Sequence, residues 1–212
     1  MKRRDHVTFG KFMWQFSPVK DNALLRQAFM IGCVEPDTNV ATYMRGCFKH
    51  RNIKGHNKEN AERHILKQLE KNEYKCIMNV WNCFALGATL HYLSDSFTFA
   101  HNGAFGENIQ EHRRYEWGLH YVLEDYLASD EASAIALPDI ASAKDFWVTS
   151  HRNYLEERSG ADDYMTDCRY IVNVCMALFQ YAFMTAAANS KKERIMGSYE
   201  NTDNHRLVFT RD

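Results

Sequence analysis

The sequence predicts a single all-α domain, and three observations carry that expectation. No stretch of useful length alternates apolar and polar residues as a half-buried strand would, whereas several windows repeat apolar residues at helical spacing. Only 3 prolines and 10 glycines interrupt 212 residues, so long helices are free to form. Apolar residues at 45% and charged residues at 25% are the ordinary balance of a globular chain with one core. A net charge of −1 gives no electrostatic case, from composition, for nucleic acid or an anionic membrane as partner.

Residues 6–17 read as a short helix stopped by Ser17-Pro18. Asp21 is the expected N-cap of a helix to about Gly32, with Ala23, Leu24, Leu25, Ala28, Phe29 and Ile31 on its apolar side. Glu35-Pro36-Asp37-Thr38-Asn39 reads as a turn that ends it. Residues 40–55 are irregular or a short helix, and a charged helix runs from Asn57 or Asn60 to about Tyr74. The long apolar helix from Cys76 to Phe99 is the expected centre of the fold. Val80, Phe84, Gly87, Ala88, His91, Asp95 and Phe99 share much of one of its sides. Helices are also expected at 108–128, at 138–158 with Pro138 in the first turn, and at 164–189. The domain is expected to span 1–190, with 191–212 as a polar tail whose Leu207–Thr210 forms a small extended or docked end.

Met1-Lys2-Arg3-Arg4-Asp5-His6 leads into no apolar run of signal-peptide length, and no stretch approaches about 18 consecutive apolar residues. A cytoplasmic chain without a transmembrane segment is the expectation. Cys76 and Cys83, like Cys168 and Cys175, are seven apart within expected helices, roughly 10 Å along the axis. That separation is too long for a disulfide within either pair, and no Cys-x-x-Cys occurs, so reduced, buried thiols are expected.

The chemistry concentrates in His91-Tyr92-Leu93-Ser94-Asp95 and the residues after it. His91 and Asp95 are four apart and share a helix face; His101 follows, and His112 and Glu116 repeat the four-residue spacing. Taken singly, each histidine reads more readily as a packed or surface residue than as a ligand. Two ionisable groups on the most apolar helix, however, are costly to bury unless paired or metallated. Imidazole and carboxylate together are the usual ligands of hard-to-borderline metal ions. His120 and Glu124 form one more such pair, but each four-residue step turns the face by about 40°, so they read as a surface pair.

These residues carry a resemblance. Leu90-His91-Tyr92-Leu93-Ser94-Asp95, His101-Asn102 and His112-Arg113-Arg114-Tyr115-Glu116 resemble the motif of the zinc-dependent phospholipase C family and the related single-strand-specific nucleases. The resemblance implies a multi-helix all-α fold holding two to three zinc ions. It places His91, Asp95, Asp37 and His50 around one ion, with His56 as the alternative to His50. His101, His112 and Glu116 would surround a second, and Asp95 would bridge to a third near His6. Members of the family use the amine and carbonyl of a terminal Trp at the third ion; here Trp14 follows His6, leaving Met1's amine or a water as the substitute. The implied activity is hydrolysis of a phosphodiester by metal-bound hydroxide, with Asp37 orienting or deprotonating the water. A phospholipid is the favoured substrate and nucleic acid the less favoured one. A non-catalytic helical metal-binding protein is the reading from another class.

Overall fold

A computed structural model describes residues 1–38, 58–72, 79–102, 109–135 and 138–206. Of 58–61, 64, 71–72, 109 and 189–206 it describes the backbone alone. The elements are α1 (Arg3–Gln15), α2 (Ala23–Thr38), α3 (Lys58–Asn72), α4 (Val80–Ser96), a 3-10 turn (Phe99–His101), α5 (Ile109–Leu127), the short α6 (Asp130–Ser133), α7 (Ala143–Glu157) and α8 (Tyr164–Arg206). No strand occurs among the described residues, and the fold is all-α as expected.

Local chemistry sets the boundaries and corrects several of them. Asn79 accepts the Asn82 N–H at 3.0 Å, so α4 starts at Val80 rather than Cys76. It ends at Ser96, which leaves Phe99 in the 3-10 turn. Ser142 accepts the Asp145 N–H at 3.3 Å and starts α7, so Pro138 lies outside that helix. Asn22, not Asp21, accepts at the start of α2, from the Leu25 N–H at 3.1 Å. The turn expected at Pro36 is helix instead: α2 runs through it to Thr38. Pro36 forfeits only the bond to the Gly32 carbonyl, its ring is buried, and the Thr38 hydroxyl donates to the Val34 and Glu35 carbonyls. The last helix passes residue 189 and reaches Arg206, through a proline-free stretch containing Lys191-Lys192-Glu193-Arg194. Leu207–Thr210 lies outside the described residues.

The core forms where α1, α2 and α8 meet and again where α4, α7 and α8 meet. Trp14 packs on Phe29, Phe179 and Phe183, and Phe97 packs on Tyr154 and Tyr170. Cys33, Cys83, Cys168 and Cys175 are buried free thiols. Among the described residues, Tyr164–Ala188 is long and apolar enough by length and composition to cross a membrane, its most apolar 18-residue window reaching a mean hydropathy of 1.6. Asn173 and Gln180 interrupt that window, so it is not a run of consecutive apolar residues. With 56% of the window buried inside the protein, the stretch packs as a core helix.

The most extensive helix contact is between α2 and α4, and two glycines permit it. A Cβ on Gly32 would collide with the Phe84 carbonyl and stand 3.0 Å from the Ala88 nitrogen. A Cβ on Gly87 would collide with the Phe29 carbonyl and stand 2.8 Å from the Cys33 nitrogen. The obstacles are backbone, which cannot step aside as a flexible side chain does. Gly87→Ala is therefore expected to lower stability by about 3 kcal/mol or more, at or above the upper range for overpacking. Urea unfolding would show it; a loss near the ~1 kcal/mol scale of a tolerated swap would mean the helices are not in backbone contact.

Candidate metal centre

The approach of α2 to α4 delivers a backbone carbonyl to the side chain at the centre of the motif. Cys33 O lies 2.9 Å from His91 Nδ1. A carbonyl only accepts, so Nδ1 carries the proton and Nε2 presents its lone pair. The same logic holds twice more. Ser94 gives its one hydroxyl hydrogen to the His91 carbonyl at 2.8 Å and so accepts from His6 Nδ1 at 3.3 Å. Thr98 gives its hydrogen to the Asp95 carbonyl at 2.8 Å and accepts from His101 Nδ1 at 2.7 Å. Three imidazoles thus turn Nε2 lone pairs inward.

What they face is a carboxylate. Asp95 Oδ1 is 3.3 Å from His6 Nε2, and Oδ2 is 3.5 Å from His91 Nε2 and 3.9 Å from His101 Nε2. The His6 and His91 rings stack at 3.8 Å. The buried Nε2 of His6 makes no hydrogen bond of good geometry among the described residues. Lone pairs facing lone pairs call for a cation between them. The Met1 amine supplies one charge, 2.7 Å from Asp95 Oδ1 and 3.9 Å from Glu116.

Zinc fits the remainder. His6, His91 and Asp95 offer atoms all within 4.8 Å of one another. Zinc–N and zinc–O bonds of about 2.0–2.1 Å at tetrahedral angles put neighbouring ligands about 3.3–3.4 Å apart, close to the observed 3.3 and 3.5 Å. Hydrogen-bonded Nδ1 atoms that fix tautomer and ring direction are the usual support for such ligands.

Protonation agrees with that use. Burial and neighbouring His6 push His91 well below the usual histidine range, and burial lowers His101 to about 4 against the pull of Asp95. Burial alone would raise Asp95, but its neighbours, the Met1 amine first among them, outweigh it and hold it well below the carboxylate range. Glu116 is lowered too: its burial is outweighed by His112 and the Met1 amine.

The remaining candidates sit around this core. Asp37, the more exposed member, places Oδ1 3.5 Å from His91 Nε2, a position that follows from α2 continuing through Pro36. His112 Nε2 is 3.5 Å from Glu116 Oε1, and its ring is 5.8 Å from that of His101. His6 lies inside α1, and its ring stacks on that of His91. Trp14 is a core residue. His50 and His56 lie outside the described residues.

Other polar residues matter that spacing does not reveal. His120 is no surface residue: it is buried, with Nδ1 2.6 Å from Asp5 Oδ1 across α1 and α5, and Glu124 3.4 Å from its Nε2. Asp167, fully buried in the apolar α8, accepts from the Tyr115 hydroxyl, from Tyr154 at 2.7 Å and from Arg158 Nε at 2.6 Å. Tyr115 in turn accepts the Phe99 N–H at 2.9 Å, which ties the turn carrying His101 to the helix carrying Glu116. Asn102 donates to the Ser96 and Thr98 carbonyls at 2.8 Å, and His151 lies 3.0 Å from its Oδ1. An aspartate within an apolar helix is the one signal in the sequence that points to this network.

Two outcomes test this arrangement. Asp167→Asn would leave Arg158 buried beside a neutral amide and is expected to cost about 3–5 kcal/mol in urea unfolding; a loss below ~1 kcal/mol would show the network to be incidental. His101 stays neutral when folded down to about 4 but takes a proton near 6.5 when unfolded. The unfolded chain binds more protons in that window, so metal-free stability should fall as pH drops from 6.5 toward 4. A shallower fall in His101→Gln would assign the slope to this residue, and an identical fall would remove it from the account.

Comparison with known proteins agrees with this architecture. No curated protein and no solved structure matches the chain. The model of the family described as zinc dependent phospholipase C matches residues 5–185, from the first turn of α1 into α8. An all-α fold, a buried histidine–aspartate cluster with zinc spacing, and a match over most of the length lead to one assignment: the chain belongs to the zinc-dependent phospholipase C family.

Proposed function

We propose that this protein hydrolyses phosphodiesters, with a phospholipid or a related diester as substrate. The observation that carries the reading is the convergence of three imidazole lone pairs on Asp95, beside an edge that opens to solvent. Zinc, when bound there, supplies Lewis acidity toward a phosphoryl oxygen and toward a water. His6, His91 and Asp95 would hold one ion. His101, His112 and Glu116 would take part in a second, with Asp95 Oδ2 between the two sets.

Burial is graded across the site in a way that suits this work. His6 and His91 side chains are 2% and 0% exposed, whereas His112 is 37% and Asp37 25%. The inner members hold position, and the outer members meet substrate. Asp37, partly exposed with Oδ1 3.5 Å from His91 Nε2, is placed to orient a water and take its proton. Glu116, held ionised by its neighbours, keeps negative charge where a metal-binding carboxylate needs it. Phospholipid rather than nucleic acid is favoured by the glutamate form of the second pair.

The test is metal content and turnover measured on one preparation. The protein is expected to hold two to three zinc ions and to cleave a chromogenic phosphocholine diester, losing activity to a chelator and regaining it with zinc. Asp37→Asn is expected to lower turnover by about 10²–10⁴, the range for a general base. A zinc-replete protein inert toward phosphodiesters, phospholipids and single-stranded nucleic acid would overturn the catalytic reading.

A further inference from the structure

We propose that the outer face of α5 and the start of α1 form a docking surface for an anionic phospholipid bilayer, with the metal centre at its edge. The surface consists of Lys2, Arg4, Arg113, Arg114, Trp117 and Tyr121. The inference rests on the phospholipid reading above and names the surface that would bring that site to its substrate.

Trp117 is 48% and Tyr121 59% exposed, and the two rings stack with centroids 6.0 Å apart. Exposed aromatic residues one helical turn apart need an explanation that a scattered surface leucine does not. Their surroundings supply one. The Lys2 ammonium sits 2.8 Å over the Trp117 ring and the Arg4 guanidinium 4.6 Å from it. The Lys2 Nζ is buried there and makes no hydrogen bond among the described residues. Arg113 and Arg114, both exposed, lie four and three residues before Trp117 and so neighbour it on the helix surface. Three exposed cations, Arg4, Arg113 and Arg114, therefore neighbour two amphipathic rings, with the Lys2 ammonium packed against one of them, on a protein whose formal net charge is only −1. Composition averages this asymmetry away.

A bilayer surface is the occupant whose chemistry matches. Tryptophan and tyrosine settle at the headgroup level, where the ring is apolar and its polar edge is wet. Each lysine or arginine near an anionic surface adds attraction of about 1 kcal/mol, roughly a fivefold gain in partitioning. Two rings are too little apolar area for a stable protein partner, whose interface covers about 800 Å² on each side. The position is informative too. Trp117 follows Glu116 directly, and Lys2 and Arg4 share a helix start with His6, so the patch borders the candidate centre. Glu124 and Asp125 end it on the far side of Tyr121.

The experiment is cosedimentation of the intact protein with vesicles of phosphatidylcholine alone and of phosphatidylcholine with phosphatidylglycerol, at low and high salt. Wild type is expected to partition onto the mixed vesicles and to be released by salt. Arg113→Glu/Arg114→Glu should reduce that partitioning by about tenfold or more, and Trp117→Ala/Tyr121→Ala should reduce it on both vesicle types. These residues lie outside the metal centre, so turnover of a monomeric short-chain diester should match wild type, with unchanged circular dichroism as the check on folding. Equal partitioning of wild type and both variants, or capture by an acidic protein surface without any vesicle binding, would overturn the proposal. Vesicle binding without turnover of the soluble diester would sustain docking and reject the catalytic reading. Soluble turnover without vesicle binding would do the reverse.

Discussion

Everything in the candidate centre depends on how closely α2 lies against α4. Helices usually pack with axes about 8–10 Å apart, held off by their side chains. Gly32 and Gly87 remove those side chains from both partners at the same crossing, so backbone meets backbone. Only then can the Cys33 carbonyl act as the acceptor that orients His91. The same crossing, continued through Pro36, sets Asp37 beside the other nitrogen of that ring. A packing detail in the apolar interior thus decides which nitrogen of one histidine is available.

Two buried aspartates in the fold show opposite solutions to the same problem. A carboxylate taken from water must recover its lost solvation through donors or a cation. Asp167 is satisfied internally, by an arginine and two tyrosine hydroxyls. Asp95 instead faces imidazole nitrogens whose protons have been drawn to their far sides by Cys33, Ser94 and Thr98. Apart from the Met1 amine, its neighbours among the described residues offer lone pairs. The first arrangement holds helices together. The second is what a cation-binding site requires.

Much of this was legible in the sequence, and the remainder had a physical reason to be hidden. The His91–Asp95 and His112–Glu116 pairs could be read because helical spacing is local and puts residues four apart on one face. The all-α class followed from the same periodicity. Pro36 misled because its usual penalty was outweighed by burial of its ring and by the Thr38 hydroxyl, neither visible locally. His120 looked like a surface residue because its partner, Asp5, is 115 positions away. The role of Tyr115 was hidden for a similar reason: its bonds run to Asp167 and Phe99 on other elements. Spacing identified candidate ligands, while the contacts that aim them are long-range.

Three successive residues of α5 show how one helix can serve several ends. Neighbouring residues on a helix project about 100° apart, so consecutive positions face different surroundings. Tyr115 is buried and bonds to Asp167, which anchors α5 to α8. Glu116 turns toward His112 and the Met1 amine, within the cluster around Asp95. Trp117 turns outward beneath Lys2 and Arg4. The anchor fixes the rotation of the helix about its own axis, and that rotation decides where the other two point. A turn large enough to bring Trp117 into the core would withdraw Glu116 from the cluster. Internal anchor, candidate ligand and external face are therefore set together, which is why a buried hydrogen bond on the far side of the helix bears on both the centre and the surface beside it.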